Sequence, residues 1–193
     1  MRPRLLAVAV LLGSSLAGCA QTGAPDGEPG DGAAAPVAAE LEPCPEQPET
    51  GAAGAARLPA LSFDCPGGGT LDLGRAPGVP TVVNLWGSWC PPCREEMPVL
   101  QEFTATAGDR VRIMGVISKD GLPQATAFAQ DVGVTFPSAY DASGELMAEL
   151  GINALPFTYF LDADGALVHT EAGPVASTDE LRALVTEHLG VAL

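Results

Sequence analysis

The sequence predicts an α/β fold over residues 58–193, with a central mixed β-sheet flanked by helices. Two apolar runs, residues 79–86 (VPTVVNLW) and 111–117 (VRIMGVI), have the length and composition of buried strands. A helical segment lies between these runs, and a hairpin and a last helix follow them. A βαβ half therefore precedes a ββα half, an order typical of a mixed sheet covered by helices.

The other elements of the first half are predicted from local patterns. Residues 61–63 and 70–73 are short edge strands around a turn at residues 66–69 (PGGG). Residues 94–107 form a helix that Pro98 interrupts, because proline removes an internal hydrogen bond. Two further helices are predicted at residues 122–132 and 144–151.

A hairpin and a helix complete the domain. Residues 157–162 (FTYFLD) and 166–171 pair around a turn at residues 163–165 (ADG). The last helix begins with Thr178 as its N-cap and ends before Gly190, a typical stop signal. Three apolar residues of this helix are expected to face inward: Leu181, Leu184 and Val185.

Residues 1–18 have the features of an export signal. A short positive start precedes an apolar run, residues 5–12, which is too short to span a bilayer as a mature helix. Residues 16–19 (LAGC) resemble the lipobox of bacterial lipoproteins, in which a signal peptidase cuts before a cysteine that carries lipid. The resemblance implies lipidation at Cys19 and a stable membrane anchor. A plain secretory signal with a coincidental cysteine is the alternative.

Residues 19–57 are predicted to be a flexible tether. They are rich in Ala, Gly, Pro and acidic residues and contain no aromatic residue. A small separate domain is disfavoured because there is almost nothing to bury. A flexible chain of this length would reach about 30–40 Å.

The chain is strongly acidic. It has 9 Lys and Arg against 24 Asp and Glu, a formal net charge of -15. Such a charge argues against nucleic acid as a partner. Solubility alone accounts for it, and selection of basic partners is the alternative.

Cys90 and Cys93 form a CPPC motif directly after the first buried strand and at the start of a helix. The free N–H groups and the dipole of a helix N-terminus favour the thiolate, which is the attacking species in disulfide exchange. Proline is tolerated in the first helical turn. We expect Cys90 to be the exposed nucleophile and Cys93 the more buried resolving thiol.

Metal binding is the main rival reading of this motif. A zinc site needs further ligands, and the two histidines, His169 and His188, do not fall in a ligand pattern. Copper-delivering proteins with a related fold have three residues between the cysteines, whereas this motif has two. No metal or organic cofactor is therefore expected.

The segment NLWGSWCPPCREEMP, residues 84–98, resembles the motif of the TlpA/ResA-like thiol-disulfide oxidoreductases. These are extracytoplasmic members of the thioredoxin superfamily, and the resemblance covers about residues 58–190. It implies a thioredoxin-like fold and thiol-disulfide exchange at the outer face of the cell membrane. It also implies exported proteins as substrates, including apocytochrome c, and a membrane thiol-disulfide transporter as electron donor.

The resemblance also implies roles for individual residues. Trp89 would shield the nucleophile, and an ordinary hydrophobic contact is the alternative. Glu96 would handle protons at the thiols; a Glu that only favours the helix dipole is the alternative. Asn84 stands where thioredoxins carry a buried Asp. Leu155 and Pro156 would form the substrate-binding loop, with a cis peptide bond that exposes backbone to an extended client; an ordinary trans proline is the alternative.

Cys44 and Cys65 remain once the other cysteines are assigned. They are expected to form a structural disulfide, and a second redox pair is the alternative. The absence of a His between Cys90 and Cys93 favours a reductase over an oxidant. A peroxidase is disfavoured because Gly87 stands where peroxiredoxins carry a Thr. The intact motif disfavours a purely non-catalytic binding lipoprotein.

Overall fold

The computed structural model describes residues 40–193. Within them the chain forms seven strands: β1 Ser62–Asp64, β2 Thr70–Asp72, β3 Thr81–Trp86, β4 Arg112–Ser118, β5 Ser138–Asp141, β6 Phe157–Leu161 and β7 Leu167–Ala172. It also forms four α-helices: α1 Pro91–Ala107, α2 Leu122–Asp131, α3 Glu145–Glu149 and α4 Thr178–Leu189. Strands β3 to β7 form a mixed sheet in the order β5-β4-β3-β6-β7, and β1 and β2 form a separate hairpin.

Strand β3 lies at the centre of the sheet and all six of its residues are buried. It runs parallel to β4 and antiparallel to β6, so that Asn84 faces Gly115 on one side and Thr158 on the other. Helix α1 connects the parallel neighbours β3 and β4, and α2 connects β4 and β5. Such connections are right-handed as a rule, and two successive ones in the same direction place their helices on the same face of the sheet. The CPPC motif follows β3 and therefore lies at the carboxyl edge of the parallel strands.

Helix α1 is continuous through Pro98, so the predicted interruption is wrong. Pro98 is exposed on the outer face of the helix, whereas Met97 and Leu100 are buried. The carbonyl of Arg94, which loses its helical donor at Pro98, therefore lies on the solvent side, where water can satisfy it. The buried face stays intact and holds the helix together across the proline.

Helix α4 has the predicted bounds, Thr178–Leu189, but its N-cap is a different residue. Ser177 is the N-cap, and its side chain accepts from the backbone N–H of Glu180; the prediction of Thr178 is wrong by one position. Leu181 and Val185 are buried and Leu184 is half-buried, and Gly190 ends the helix in the left-handed region.

Residues 40–57 pack against the rest of the described chain, so the predicted tether is too long at its C-terminal end. Leu41 is buried, and the backbone N–H of Cys44 donates to Gly68. Further along, the N–H of Leu167 donates to Ala56, which covers part of the free edge of β7. The predicted signal peptide, Cys19 and the predicted tether up to residue 39 lie outside the described residues.

Two details of the sheet also differ from expectation. The predicted edge strands β1 and β2 pair only with each other and do not extend the central sheet. Strand β5 was not predicted: it has four residues and no alternating pattern, and it is defined by its pairing with β4. Over residues 40–193, no helix combines the length and the apolar character needed to cross a membrane.

Candidate active site

Cys90 and Cys93 are joined as a disulfide, with their Cα atoms 5.3 Å apart. Cys90 is the N-cap of α1, and its sulfur accepts from the backbone N–H of Cys93 at 3.3 Å. Pro91 and Pro92 occupy the first helical positions, where no internal N–H bond is lost. The N–H of Cys93 thus points at the sulfur of Cys90, and this bond and the helix dipole favour negative charge on the sulfur.

Cys90 is buried, contrary to the expectation that it is exposed. Its exposed fraction is 2%, against 0% for Cys93. In the disulfide its sulfur is bonded to Cys93, which lies inside the core, and this bond holds the Cys90 side chain inward. The order of exposure is as expected, but solvent reaches neither sulfur freely in this state.

Trp89, the residue before Cys90, is 49% exposed and is one of two large hydrophobic residues that the described chain leaves on its surface. Its indole Nε1 donates to the carbonyl oxygen of Ser118 at 3.2 Å. The ring is therefore fixed at the end of β4 while much of it remains open to a partner. This placement suits contact with a client next to the cysteine pair.

Glu96 is buried beneath the cysteine pair, one turn after Cys93 on α1 and on the same helical face. Its Oε1 accepts from the backbone N–H of Val175 at 3.0 Å and from the hydroxyl of Thr158 at 3.4 Å. Its Oε2 accepts from Nδ2 of Asn84 at 3.1 Å. Each of these bonds favours the carboxylate.

Burial outweighs these bonds and raises the pKa of Glu96 to about 7. Loss of hydration is the largest cause, the bonds from Val175, Asn84 and Thr158 act in the opposite direction, and the nearby charge of Glu180 raises the pKa further. A carboxyl group with this pKa can both accept and release a proton near neutral pH.

Asn84 is fully buried on β3, and its Nδ2 donates to both Glu96 and Thr158. Its Oδ1 has no hydrogen-bond partner among the described residues. An amide does not titrate near neutral pH. Glu96 is therefore the group of this trio that can change its protonation state.

The peptide bond between Leu155 and Pro156 is cis, as the family resemblance implies. Both residues are buried, and Leu155 is 9% exposed. The carbonyl of Pro156 accepts from Gly173, and two residues later Val175 donates to Glu96. The loop between β7 and α4 thus contacts both the proline loop and the buried carboxyl group. Thr158 and Val175 were missed from the sequence because one carries a common hydroxyl and the other acts only through its backbone.

Cys44 and Cys65 are joined as a second disulfide across 21 residues, with their Cα atoms 6.0 Å apart. Both are buried. The bond ties residues 40–57 to the hairpin of β1 and β2, away in sequence from α1 and from the proline loop. This position suits a structural cross-link.

Comparison with known proteins gives a consistent result. The family model described as Redoxin matches residues 52–185. A thiol:disulfide interchange protein DsbE homolog of Paracoccus denitrificans is 39% identical over 111 residues, 57% of this chain and 59% of the relative. The sporulation thiol-disulfide oxidoreductase A of Bacillus subtilis is 34% identical over 104 residues, 52% of this chain and 63% of the relative. The chain thus spans about three fifths of the length of these curated relatives.

Solved structures share the fold. The crystal structure of StoA from Bacillus subtilis aligns with a TM-score of 0.54 and 29% identity, covering 64% of this chain and 96% of that one. A secreted disulfide oxidoreductase of Mycobacterium tuberculosis, homologous to Escherichia coli DsbE, aligns with a TM-score of 0.58 and 25% identity, covering 66% of this chain and 96% of that one. The predicted thioredoxin-like fold is confirmed. The chain therefore belongs to the redoxin family and, within the thioredoxin superfamily, to the thiol-disulfide oxidoreductases of the ResA, TlpA and DsbE type.

Proposed function

We propose that this protein is a lipid-anchored thiol-disulfide oxidoreductase that reduces disulfides of exported proteins at the outer face of the bacterial cell membrane. The observation that carries the proposal is the cysteine pair at the N-terminus of α1, with the carboxyl group of Glu96 buried one turn behind it. A dithiol, a helix N-terminus and a nearby proton acceptor are what stepwise disulfide exchange requires.

The reaction begins from the reduced pair. The thiolate of Cys90 attacks one sulfur of the client disulfide; the other client sulfur leaves as a thiolate and takes up a proton. Cys93 then loses its proton and attacks the sulfur of Cys90, which releases the second client thiol. The client gains two electrons and two protons, and the protein is left with the Cys90–Cys93 disulfide.

Glu96 is proposed to accept the proton of Cys93 when Cys93 attacks. It lies one turn along α1 on the same face, and its raised pKa matches neutral conditions. Asn84 and Thr158 hold the carboxyl group in place through their bonds to its two oxygens. In the reverse half-cycle the same proton returns to Cys93.

Client binding is proposed at the exposed ring of Trp89 and at the backbone of the cis-proline loop, Leu155 and Pro156. Apocytochrome c, whose haem-attachment cysteines form a disulfide when oxidised, is the client that the family resemblance favours. A membrane thiol-disulfide transporter is the proposed donor that returns the pair to the dithiol form. The relatives named as thiol:disulfide interchange proteins support protein thiols as the substrate class.

Trapping of the mixed disulfide tests the enzyme proposal. The reduced full chain with Cys93→Ala is mixed with an oxidised apocytochrome c that carries a CxxCH motif. A covalent adduct that dithiothreitol cleaves is expected, because the thiol that would resolve the mixed disulfide is missing. The control is Cys90→Ala with Cys93→Ala, which should form none. If the single variant also forms no adduct, Cys90 does not attack clients of this kind.

The direction of the reaction follows from the reduction potential of the Cys90–Cys93 couple, measured against glutathione. A potential near that of thioredoxin, roughly -270 mV, is expected for a reductase fed by a membrane donor. A potential near that of DsbA, roughly -120 mV, would instead identify a protein that introduces disulfides into exported proteins.

Lipidation is tested separately in the full chain. Cells that express the protein are fed a fatty acid carrying an alkyne, and the protein is isolated and labelled. Label is expected on the wild-type chain and not on Cys19→Ser, and only the wild-type chain should sediment with membranes. Equal labelling of both chains would exclude Cys19 as the lipidated residue.

A further inference from the structure

The carboxylate of Asp120 holds the residue two positions before Cys90. Its Oδ2 accepts from the backbone N–H of Ser88, and its Oδ1 accepts from the Ser88 hydroxyl at 3.1 Å. Both carboxylate oxygens thus accept hydrogen bonds from Ser88, in the loop that leads from β3 to the CPPC motif. Asp120 itself belongs to a different part of the chain, the connection from β4 to α2.

The connection around Asp120 is tightly held. Lys119 has a positive φ of 51°, the one non-glycine residue of the described chain in that region, and its N–H donates to the carbonyl of Asp141. The carbonyl of Asp120 accepts from the hydroxyl of Tyr140 at 3.0 Å. A residue persists in this backbone region only where its surroundings fix it, and such residues concentrate at functional sites.

A second bond joins the same two loops. Nε1 of Trp89 donates to the carbonyl of Ser118, two residues before Asp120. Trp89 is thus bonded to the last residue of β4, and Ser88 to the connection that follows it. Cys90 follows them directly, so the position of its sulfur depends on this attachment.

We propose that Asp120 is a positioning residue for Cys90 that also disfavours the Cys90 thiolate through its negative charge and so keeps the cysteine pair reducing. The second part rests on the proposed function, because it assumes that the pair works as a reductant. The carboxylate lies against the loop next to Cys90, where a negative charge opposes a second one. Asp120 is only half-buried, so solvent screens part of this repulsion.

No Lys or Arg of the described residues forms an ion pair with Asp120. Arg94 donates to the carbonyl of Ser88 and lies over the ring of Phe128, 4.3 Å from its centroid. The aliphatic chain of Lys119 packs over Gly144. The remaining charged side chains of the start of α1 are Glu95, which is exposed, and Glu96, which is buried, and both are acidic.

The inference is tested by alkylation of Cys90 with iodoacetamide across a pH series, in the full chain with Cys93→Ala so that one active-site thiol reacts. Asp120→Asn removes the charge and one acceptor. In this variant the pH at which the alkylation rate of Cys90 is half-maximal, the alkylation midpoint, should fall by about half a unit to one unit. Below the midpoint the alkylation rate should therefore rise about threefold to tenfold. Asp120→Glu should return the midpoint towards that of the parent chain.

Two control variants separate the local charge of Asp120 from two other effects. One tests the loss of a hydrogen bond, and the other tests the change in the net charge of the protein. Ser88→Ala removes one hydrogen bond but keeps the charge, so its midpoint should stay with the parent. Asp164→Asn removes a charge from the exposed turn at the far end of β6, about 17 Å of strand away from Pro156, and should also leave the midpoint unchanged. With Cys93 present, the Cys90–Cys93 couple of Asp120→Asn should be more oxidising than that of the wild-type chain.

An unchanged alkylation midpoint and couple in Asp120→Asn would overturn the inference, even if the melting temperature falls, because Asp120 would then only stabilise the loop. An equal shift in Asp164→Asn would also overturn it, because overall charge would be the cause. These outcomes are independent of client reduction: if the wild-type chain forms no mixed disulfide with apocytochrome c, the proposed function fails while the effect of Asp120 on Cys90 can still be measured.

Discussion

Asn84 donates its side-chain amide to Oε2 of Glu96 at 3.1 Å, and this bond links the strand before the CPPC motif to the helix after it. Both side chains are buried. A titratable group in the core, Glu96 on the helix that carries Cys93, is thus bonded to the strand that precedes the motif. Its protonation state affects both the stability of the protein and its chemistry.

Replacement of Glu96 by Gln is expected to change how stability depends on pH. The pKa of Glu96 is raised from 4.5 to about 7, so between these values the folded state keeps a proton that the unfolded state has released. The free energy of unfolding of the wild-type chain therefore falls as pH rises through this window, by up to about 3 kcal/mol. Glu96→Gln lacks this loss and should exceed the wild type at pH 8 but not at pH 4.5.

Urea unfolding at the two pH values measures this difference. Glu95→Gln is the matched control, because Glu95 is the neighbouring residue on α1 and is exposed. Its stability should follow the wild type at both pH values. A wild-type stability that rises between pH 4.5 and pH 8 relative to Glu96→Gln would mean that Glu96 is ionised in the folded protein throughout.

The same substitution is expected to change the kinetics of exchange. If Glu96 accepts the proton of Cys93, the rate at which mixed disulfide is resolved should rise through a pH near 7 in the wild-type chain. In Glu96→Gln the rate should be about 100-fold lower and this inflection should be absent. Stopped-flow reduction of an oxidised CxxCH peptide measures it; a Gln variant with the wild-type profile would remove Glu96 from the mechanism.

The Cys44–Cys65 disulfide is expected to stabilise the fold without contributing to exchange. Its sequence separation is 21 residues, and closing a loop of this size contributes roughly 3 kcal/mol in the chain-entropy model. The double variant Cys44→Ser with Cys65→Ser should lose about this much stability in denaturant. Its rate of client reduction at 20 °C should equal that of the wild type. A large loss of rate in a folded double variant would identify a second redox pair.

Gly115 on β4 is expected to be intolerant of any side chain. A Cβ at this position would lie 2.6 Å from Nε1 of Trp86 and closer still to Oγ of Ser138. Both neighbours are in the core, so Gly115→Ala should cost about 1–3 kcal/mol through overpacking. Gly51→Ala is the control, because its nearest atom would be 3.8 Å away. Equal melting temperatures for the two variants would contradict this expectation.

The sequence predicted those parts of the molecule that rest on local signals. The buried strand before Cys90, the tolerated prolines after it and the hairpin ahead of α4 each have a pattern of their own. The CPPC segment is specific enough to identify the family, and with it the placement of Glu96 and Pro156. Except for Pro156, which the family resemblance placed, each of these features is encoded within about 15 neighbouring residues.

The parts that were missed depend on contacts between distant segments. Residues 40–57 look flexible by composition, yet Cys44 and Ala52 donate backbone bonds to the hairpin region. Asp120 is an ordinary loop aspartate until the fold brings it to Ser88. Hydrogen bonds to backbone groups do not depend on a side-chain pattern, so composition and periodicity could not predict these contacts.

The burial of Cys90 in the disulfide has a consequence for how long the oxidised protein persists. An attacking thiolate must approach along the sulfur–sulfur axis, and only 2% of Cys90 is open to solvent. Small thiols should therefore reduce this disulfide slowly, whereas a protein that binds the exposed ring of Trp89 can bring its own cysteine to the sulfur. Steric access to the Cys90 sulfur would then select among reductants that have the same reduction potential.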